Sequence, residues 1–121
     1  MKLGYVVLYV TNPDDCFEFW TSKVGMVEKN SNQFGQFVIR KVGFSDQDFA
    51  LELVPLELMK DNPDNLDLAT PSMAFHVADL SETRDELIGH GVEVSEIGNH
   101  GGVESFAFSD NEGRWFAVTK S

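Results

Sequence analysis

The tripeptide Phe-Ser-Asp occurs twice, at Phe44–Asp46 and Phe108–Asp110, and the residues around the two copies also align. FSDQDFALELV in the first half reads against FSDNEGRWFAVTK in the second, which sets Glu52 opposite Ala117 with one inserted residue. Upstream, YVVLYVTNPDD matches SMAFHVADLSE and Gly25 matches Gly91, so the anchors keep their order at offsets of 64 to 67 residues. Self-similarity at a near-constant offset marks a duplicated unit. Such a chain is expected to fold as two like modules, and each half reads as a strand, a helix and three further strands.

The local signals repeat with the modules. Leu3–Val10 is rich in β-branched and aromatic residues and runs into a helix start: Asn12 as N-cap, Pro13 at the first helical position, Asp14 and Asp15 complementing the helix dipole. Phe17, Trp20 and Val24 recur at helical spacing, and Gly25 is placed to stop the helix. In the second half, Met73–Val77 is the strand, Asp79 the cap and Glu82 a capping-box partner; Leu80, Leu87 and Ile88 form the apolar stripe and Gly91 ends it. Extended runs follow at Phe37–Val42, Phe49–Val54, Val92–Ile97, Ser105–Phe108 and Trp115–Thr119, with the faintest strand signal at Val27–Asn30. Pro55–Pro71 carries the prolines and Asp/Asn pairs of a connector, and its LELM start suits a short helical turn.

Composition narrows the function classes. The chain has 121 residues, enough to bury one domain's core without covalent staples, and its one cysteine, Cys16, excludes an intrachain disulfide or a cysteine-rich zinc site. Cys16, Phe19 and Trp20 read as core. A reducing cytoplasm suits this usage. The opening apolar stretch turns polar at Thr11, too short for a membrane span. Net charge of −11 argues against nucleic acid, whose phosphates call for clustered Lys and Arg, and favours a cationic guest over an anionic one.

Alternation along a strand separates two faces without any structure. Val6, Leu8 and Val10 oppose Tyr5, Val7 and Tyr9; Met73, Phe75 and Val77 oppose Ser72, Ala74 and His76. Likewise Ala50, Glu52 and Val54 oppose Leu51 and Leu53, while Trp115, Ala117 and Thr119 oppose Phe116 and Val118. The larger apolar sets are expected under the helices. The other face then bears Tyr5, Tyr9, Glu52, Ser72, His76, Trp115 and Thr119, aromatic walls with a few polar groups, which is the make-up of a small-molecule pocket. His100, before the Gly101–Gly102 pair, is placed to border it, whereas His90 sits at a helix end where a cation complements the dipole.

LGYVVLYVTNPDDCFEFWTSKVGM, ALELVP and HGGVESFAFSDNEGRWFAV together resemble the vicinal oxygen chelate superfamily of glyoxalases, bleomycin-resistance proteins and extradiol dioxygenases. The resemblance covers nearly the whole chain. It implies an α+β fold of two tandem βαβββ modules forming a curved mixed sheet around a cleft, with helices on the outer face: module one about 1–55, connector about 56–71, module two about 72–121. It also implies a homodimer. Metal-dependent members hold one divalent cation with four inward side chains, and those positions fall here on Tyr5, Glu52, Ser72 and Ala117. Only Glu52 is a ligand type the family ordinarily uses. His76 lies four residues beyond Ser72, about 13 Å along the strand, too far to substitute for it.

These residues imply a metal-independent protein that binds a small organic molecule, with no cofactor, through Tyr5, Tyr9, Glu52, Ser72, His76, His100, Trp115 and Ala117. The alternative is a glyoxalase-like lyase or isomerase, or a dioxygenase-related enzyme. It would be either metal-dependent or use Glu52 or His76 as general base with Tyr5 as hydrogen-bond donor. A structural or regulatory partner protein has no sequence feature in its favour.

Overall fold

The computed structural model describes residues 1–120, in two compact units that divide between Pro71 and Ser72. Module one runs β1 (Val6–Val10), α1 (Pro13–Glu18), β2 (Val27–Phe34), β3 (Phe37–Gly43) and β4 (Leu51–Pro55). Module two repeats the plan with β5 (Ala74–Val77), α2 (Leu80–Gly89), β6 (Gly98–His100), β7 (Val103–Ser109) and β8 (Trp115–Lys120). Each forms a four-stranded mixed sheet, ordered β1-β4-β3-β2 and β5-β8-β7-β6. In both, the first strand pairs in parallel with the last and the remaining pairs are antiparallel. The duplication and the α+β class are therefore present in the topology itself.

The helices start and stop where local chemistry directs. Asn12 Oδ1 accepts the Asp15 amide at 3.1 Å and Asp79 Oδ1 accepts the Glu82 amide at 3.0 Å, each satisfying one amide that a helix start leaves orphaned. Both helices end at a glycine of positive φ, Gly25 at 95° and Gly91 at 80°, where other residues would be strained. After Glu18 the first helix widens into a π-helical turn, Phe19–Lys23. The buried stripe is Cys16, Phe19 and Trp20, and the expected Phe17 and Val24 are only partly covered. Phe17 instead lies under the Arg40 guanidinium at 4.8 Å, and Arg40 also meets Asp14 at 2.9 Å, so the pair ties α1 to β3.

The inner sheet faces match the alternation. Leu8, Val10, Val42, Leu51 and Leu53 are fully buried with Trp20, each contributing on the order of 1.5–3 kcal/mol of apolar burial. In module two Phe75, Phe108 and Phe116 form a ring cluster with centroids 5.7–6.4 Å apart.

Two expectations are corrected and one is extended. β1 begins at Val6, not Leu3, because its partner β4 begins at Leu51 and the first five residues have no ladder to join. Val92–Ile97 is not a strand: it makes one bridge, Val94 to Phe108, after which the Ser95 hydroxyl takes the Ala107 amide at 2.8 Å and the ladder resumes only at Gly98. Val27–Asn30 is the start of an eight-residue strand.

The Phe-Ser-Asp copies are not equivalent in space. Val42 pairs with Leu51 as Phe108 pairs with Phe116, so Phe108 corresponds to Val42 rather than Phe44, and the extra residue belongs to module one. That longer β3–β4 connection folds back so tightly that a Cβ on Gly43 would collide with the Phe49 carbonyl. Asp46 is exposed, whereas Asp110 is buried and organises the β7–β8 turn: it accepts the Glu112 and Arg114 amides at 2.9 Å and pairs with the Arg114 guanidinium at 2.9 Å. Burial lowers the Arg114 pKa, but its bonds to Glu112 and Asp110 outweigh this and hold it above the usual arginine value. Arg114→Ala strands the Asp110 charge with only backbone donors, and a loss of about 3 kcal/mol is expected. Chemical denaturation checks it; a loss under about 1 kcal/mol would mean that the backbone bonds suffice.

Candidate functional site

The open face of module one is built by register. Val7 stands beside Glu52 on β4, and Glu52 beside Lys41 on β3, so these side chains share one face across three strands. Tyr5 and Tyr9 flank Val7 on that face, Val54 follows Glu52, and Ile39 follows Lys41. The connector begins with a 3₁₀ turn, Leu56–Met59, which brings Leu58 and Met59 to the same side. The result is a concavity of about 380 Å³ whose walls are Val7, Tyr9, Phe34, Ile39, Val54, Leu58, Met59 and Leu66, with Tyr5 and Glu52 also lining it. A volume of this order accommodates a small organic molecule.

Its polar end carries a feature that the strand reading passed over. The Lys41 ammonium lies 3.8 Å from Glu52 Oε2 and 4.2 Å from the centre of the Tyr5 ring, bordering the two residues at this end of the concavity. The Lys41 and Glu52 side chains are 25% and 17% exposed, so the pair is screened from bulk water. Neither makes a hydrogen bond among the described residues, in contrast to Arg40, Arg84 and Arg114, which are all hydrogen-bonded. Lys41 could have been suspected from the sequence as the one charge in phase with Phe37 and Ile39 on its strand. Phe34 lies on β2, beyond the Val27–Asn30 stretch that carries the strand signal in the sequence.

The other sequence-derived residues belong to module two. Ala117 pairs with Ala74 as Glu52 pairs with Val7, so Ala117 holds Glu52's place and Ser72 that of Tyr5. His76 faces Thr119 and shares a 2.8 Å hydrogen bond between Nδ1 and the threonine hydroxyl. Trp115 stands on the same sheet face, 49% exposed. His100 is on the edge strand β6, its ring over Gly98. Tyr5, Tyr9 and Glu52 thus meet in one concavity of module one, while His76, Trp115 and Ala117 share a sheet face of module two and Ser72 precedes its first strand.

The donor set does not fit a divalent metal. In module one the place beside Glu52 is taken by an ammonium, and a second cation there would face repulsion of several kcal/mol at an effective dielectric near 20. In module two the matching positions are an alanine and a serine, neither of which is a ligand type for zinc, nickel or iron. Among the described residues no three His, Cys, Asp or Glu side chains gather to hold an ion. Calorimetry of tag-free protein with nickel, zinc, manganese or ferrous iron is expected to show no submicromolar binding. A stoichiometric tight site would overturn this assignment of positions.

Comparisons with known proteins agree with the fold. A sequence search of curated proteins returned no match. Among solved structures, a superfamily member from Sphaerobacter thermophilus DSM 20745 superposes with a TM-score of 0.83 at 16% identity, covering 100% of this chain and 98% of its own. TnmS3, an antibiotic binding protein from Streptomyces sp. CB03234, gives 0.80 at 16% identity over 99% of this chain and 95% of its own. UcmS2 gives 0.81 at 22% identity over 100% and 98%. The family model for the Glyoxalase/Bleomycin resistance protein/Dioxygenase superfamily matches residues 2–118, and the chain belongs to that superfamily.

Proposed function

We propose that this protein binds a small, largely apolar organic molecule in the concavity of module one, without a metal ion. The observation that carries the reading is the pairing of aromatic and aliphatic walls with a compact polar end, where Lys41 stands 3.8 Å from Glu52. Apolar area supplies affinity and a few polar groups fix orientation. The fold likeness to an antibiotic binding protein supports the same class of role. Ser72, His76, His100, Trp115 and Ala117 remain proposed ligand contacts on module two, and the cytoplasm the proposed compartment. No helix among the described residues is long and apolar enough to cross a membrane.

Net charge favoured a cationic guest, but the Glu52 carboxylate that lines the cavity has the Lys41 ammonium beside it and is locally balanced. The bulk field therefore acts on encounter more than on the bound pose. Pairing of two copies belongs to the proposal, because the half-exposed Trp115 on an open sheet face is apolar surface that a second chain would cover.

The test is a thermal-shift screen of aromatic metabolites and antibiotics with chelator present. A ligand at about a hundred times its Kd should add about 2.7 kcal/mol of stability. It should be recovered chemically unchanged, and Tyr9→Ala or Phe34→Ala should weaken it about tenfold. Recovery of a transformed ligand would replace binding with catalysis. Light scattering at tens of micromolar should give twice the 13.5 kDa chain mass; a monomer mass would remove the paired arrangement.

A further inference from the structure

We infer that the Lys41–Glu52 pair sets ligand specificity, so that the module-one cleft selects neutral aromatic molecules presenting a hydrogen-bond donor, such as a phenolic hydroxyl, and rejects cationic ones. This rests on the binding reading above and goes beyond it to the chemical class of the ligand.

The argument starts from what Glu52 lacks. Its side chain is 17% exposed, it lines the cavity, and no donor among the described residues bonds to its carboxylate. A carboxylate is an acceptor only, with about four lone-pair directions to satisfy. At 3.8 Å the Lys41 ammonium offsets the charge but lies beyond hydrogen-bonding distance, so the acceptor capacity stays open toward the cavity. The Tyr5 and Tyr9 hydroxyls in these walls are donors but neither bonds to Glu52 among the described residues, and the rest of the lining is hydrocarbon and aromatic ring. A ligand hydroxyl or amide N–H would complete this group, and bonds to a charged acceptor are the strong ones.

Lys41 decides the charge of that ligand. The ammonium is three-quarters shielded, stacks against the Tyr5 ring at 4.2 Å and stands beside the Glu52 carboxylate. A cationic guest at Glu52 would have as a like-charged neighbour the ammonium that already stands 3.8 Å from that carboxylate, in a site of reduced dielectric. The same two residues therefore attract a neutral donor and repel a cation. Tyr5 contributes by holding the lysine stem and head in place.

Three probes of one shape test this by calorimetry: 2-naphthol, 2-methoxynaphthalene and the (2-naphthylmethyl)trimethylammonium ion. The wild-type chain should bind the naphthol about tenfold or more tighter than the ether, and the ammonium more weakly than the ether. Glu52→Gln should bring the naphthol to within about threefold of the ether. Lys41→Met should raise the affinity of the ammonium about tenfold while leaving the ether within about twofold. The ether is the control for folding, since its binding reports the apolar walls in every variant. Equal binding of naphthol and ether by the wild type, or an ammonium affinity that Lys41→Met leaves unchanged, overturns this inference but not the binding reading. Failure of all three probes to bind overturns both.

Discussion

Parallel pairing between the first and last strand of each module governs the rest of the structure. A parallel neighbour cannot be reached by a tight turn, so the chain must leave the sheet, cross over one face as a helix and return. The crossover buries that face: Leu8, Val10, Leu51 and Leu53 are fully buried, and α1 packs on β4 and β3. The opposite face is left for ligand or solvent. Because β4 sits between β1 and β3, a residue on it has neighbours from both sides, and Glu52 is flanked by Val7 and Lys41 as a consequence of register alone.

The same topology in module two yields a different surface. The place of Glu52 is taken by Ala117 and that of Lys41 by Ala107, so the charge pair has no counterpart. His76 makes a cross-strand bond to Thr119 instead. Duplication conserved the packing face, where apolar volume decides, and let the open faces diverge, where stability constrains little. The polar investment of module two went into its β7–β8 turn, where Asp110 and Arg114 stand in place of the longer, largely exposed connection of module one.

What was legible in the sequence was local. Asn12 with Pro13, and Asp79 three residues before Glu82, name their helix starts because capping involves neighbours in the chain. Face assignment for Tyr5, Tyr9 and Glu52 was legible because side chains alternate regardless of partner. What depended on pairing was not. Nothing near Lys41 announces that Glu52 will stand beside it; that follows from the length of the β3–β4 connection, and the Phe-Ser-Asp match pointed to the wrong length. Ser95 likewise ends a strand-like run through its side chain, a bond to Ala107 twelve residues away that no propensity carries. The donor deficit at Glu52 is legible only in three dimensions.

The connector lends the cleft Leu58, Met59 and Leu66, and none of these belongs to the buried core of the sheet. Substitutions there change the shape and grip of the cavity while the strands, caps and aromatic clusters that hold the module together go untouched. A chain arranged in this way separates inheritance of architecture from inheritance of taste. For the proposed binding role, new preferences would be sampled in the segment between the repeats at little risk to folding, and a scaffold so divided would be well suited to follow a changing chemical environment.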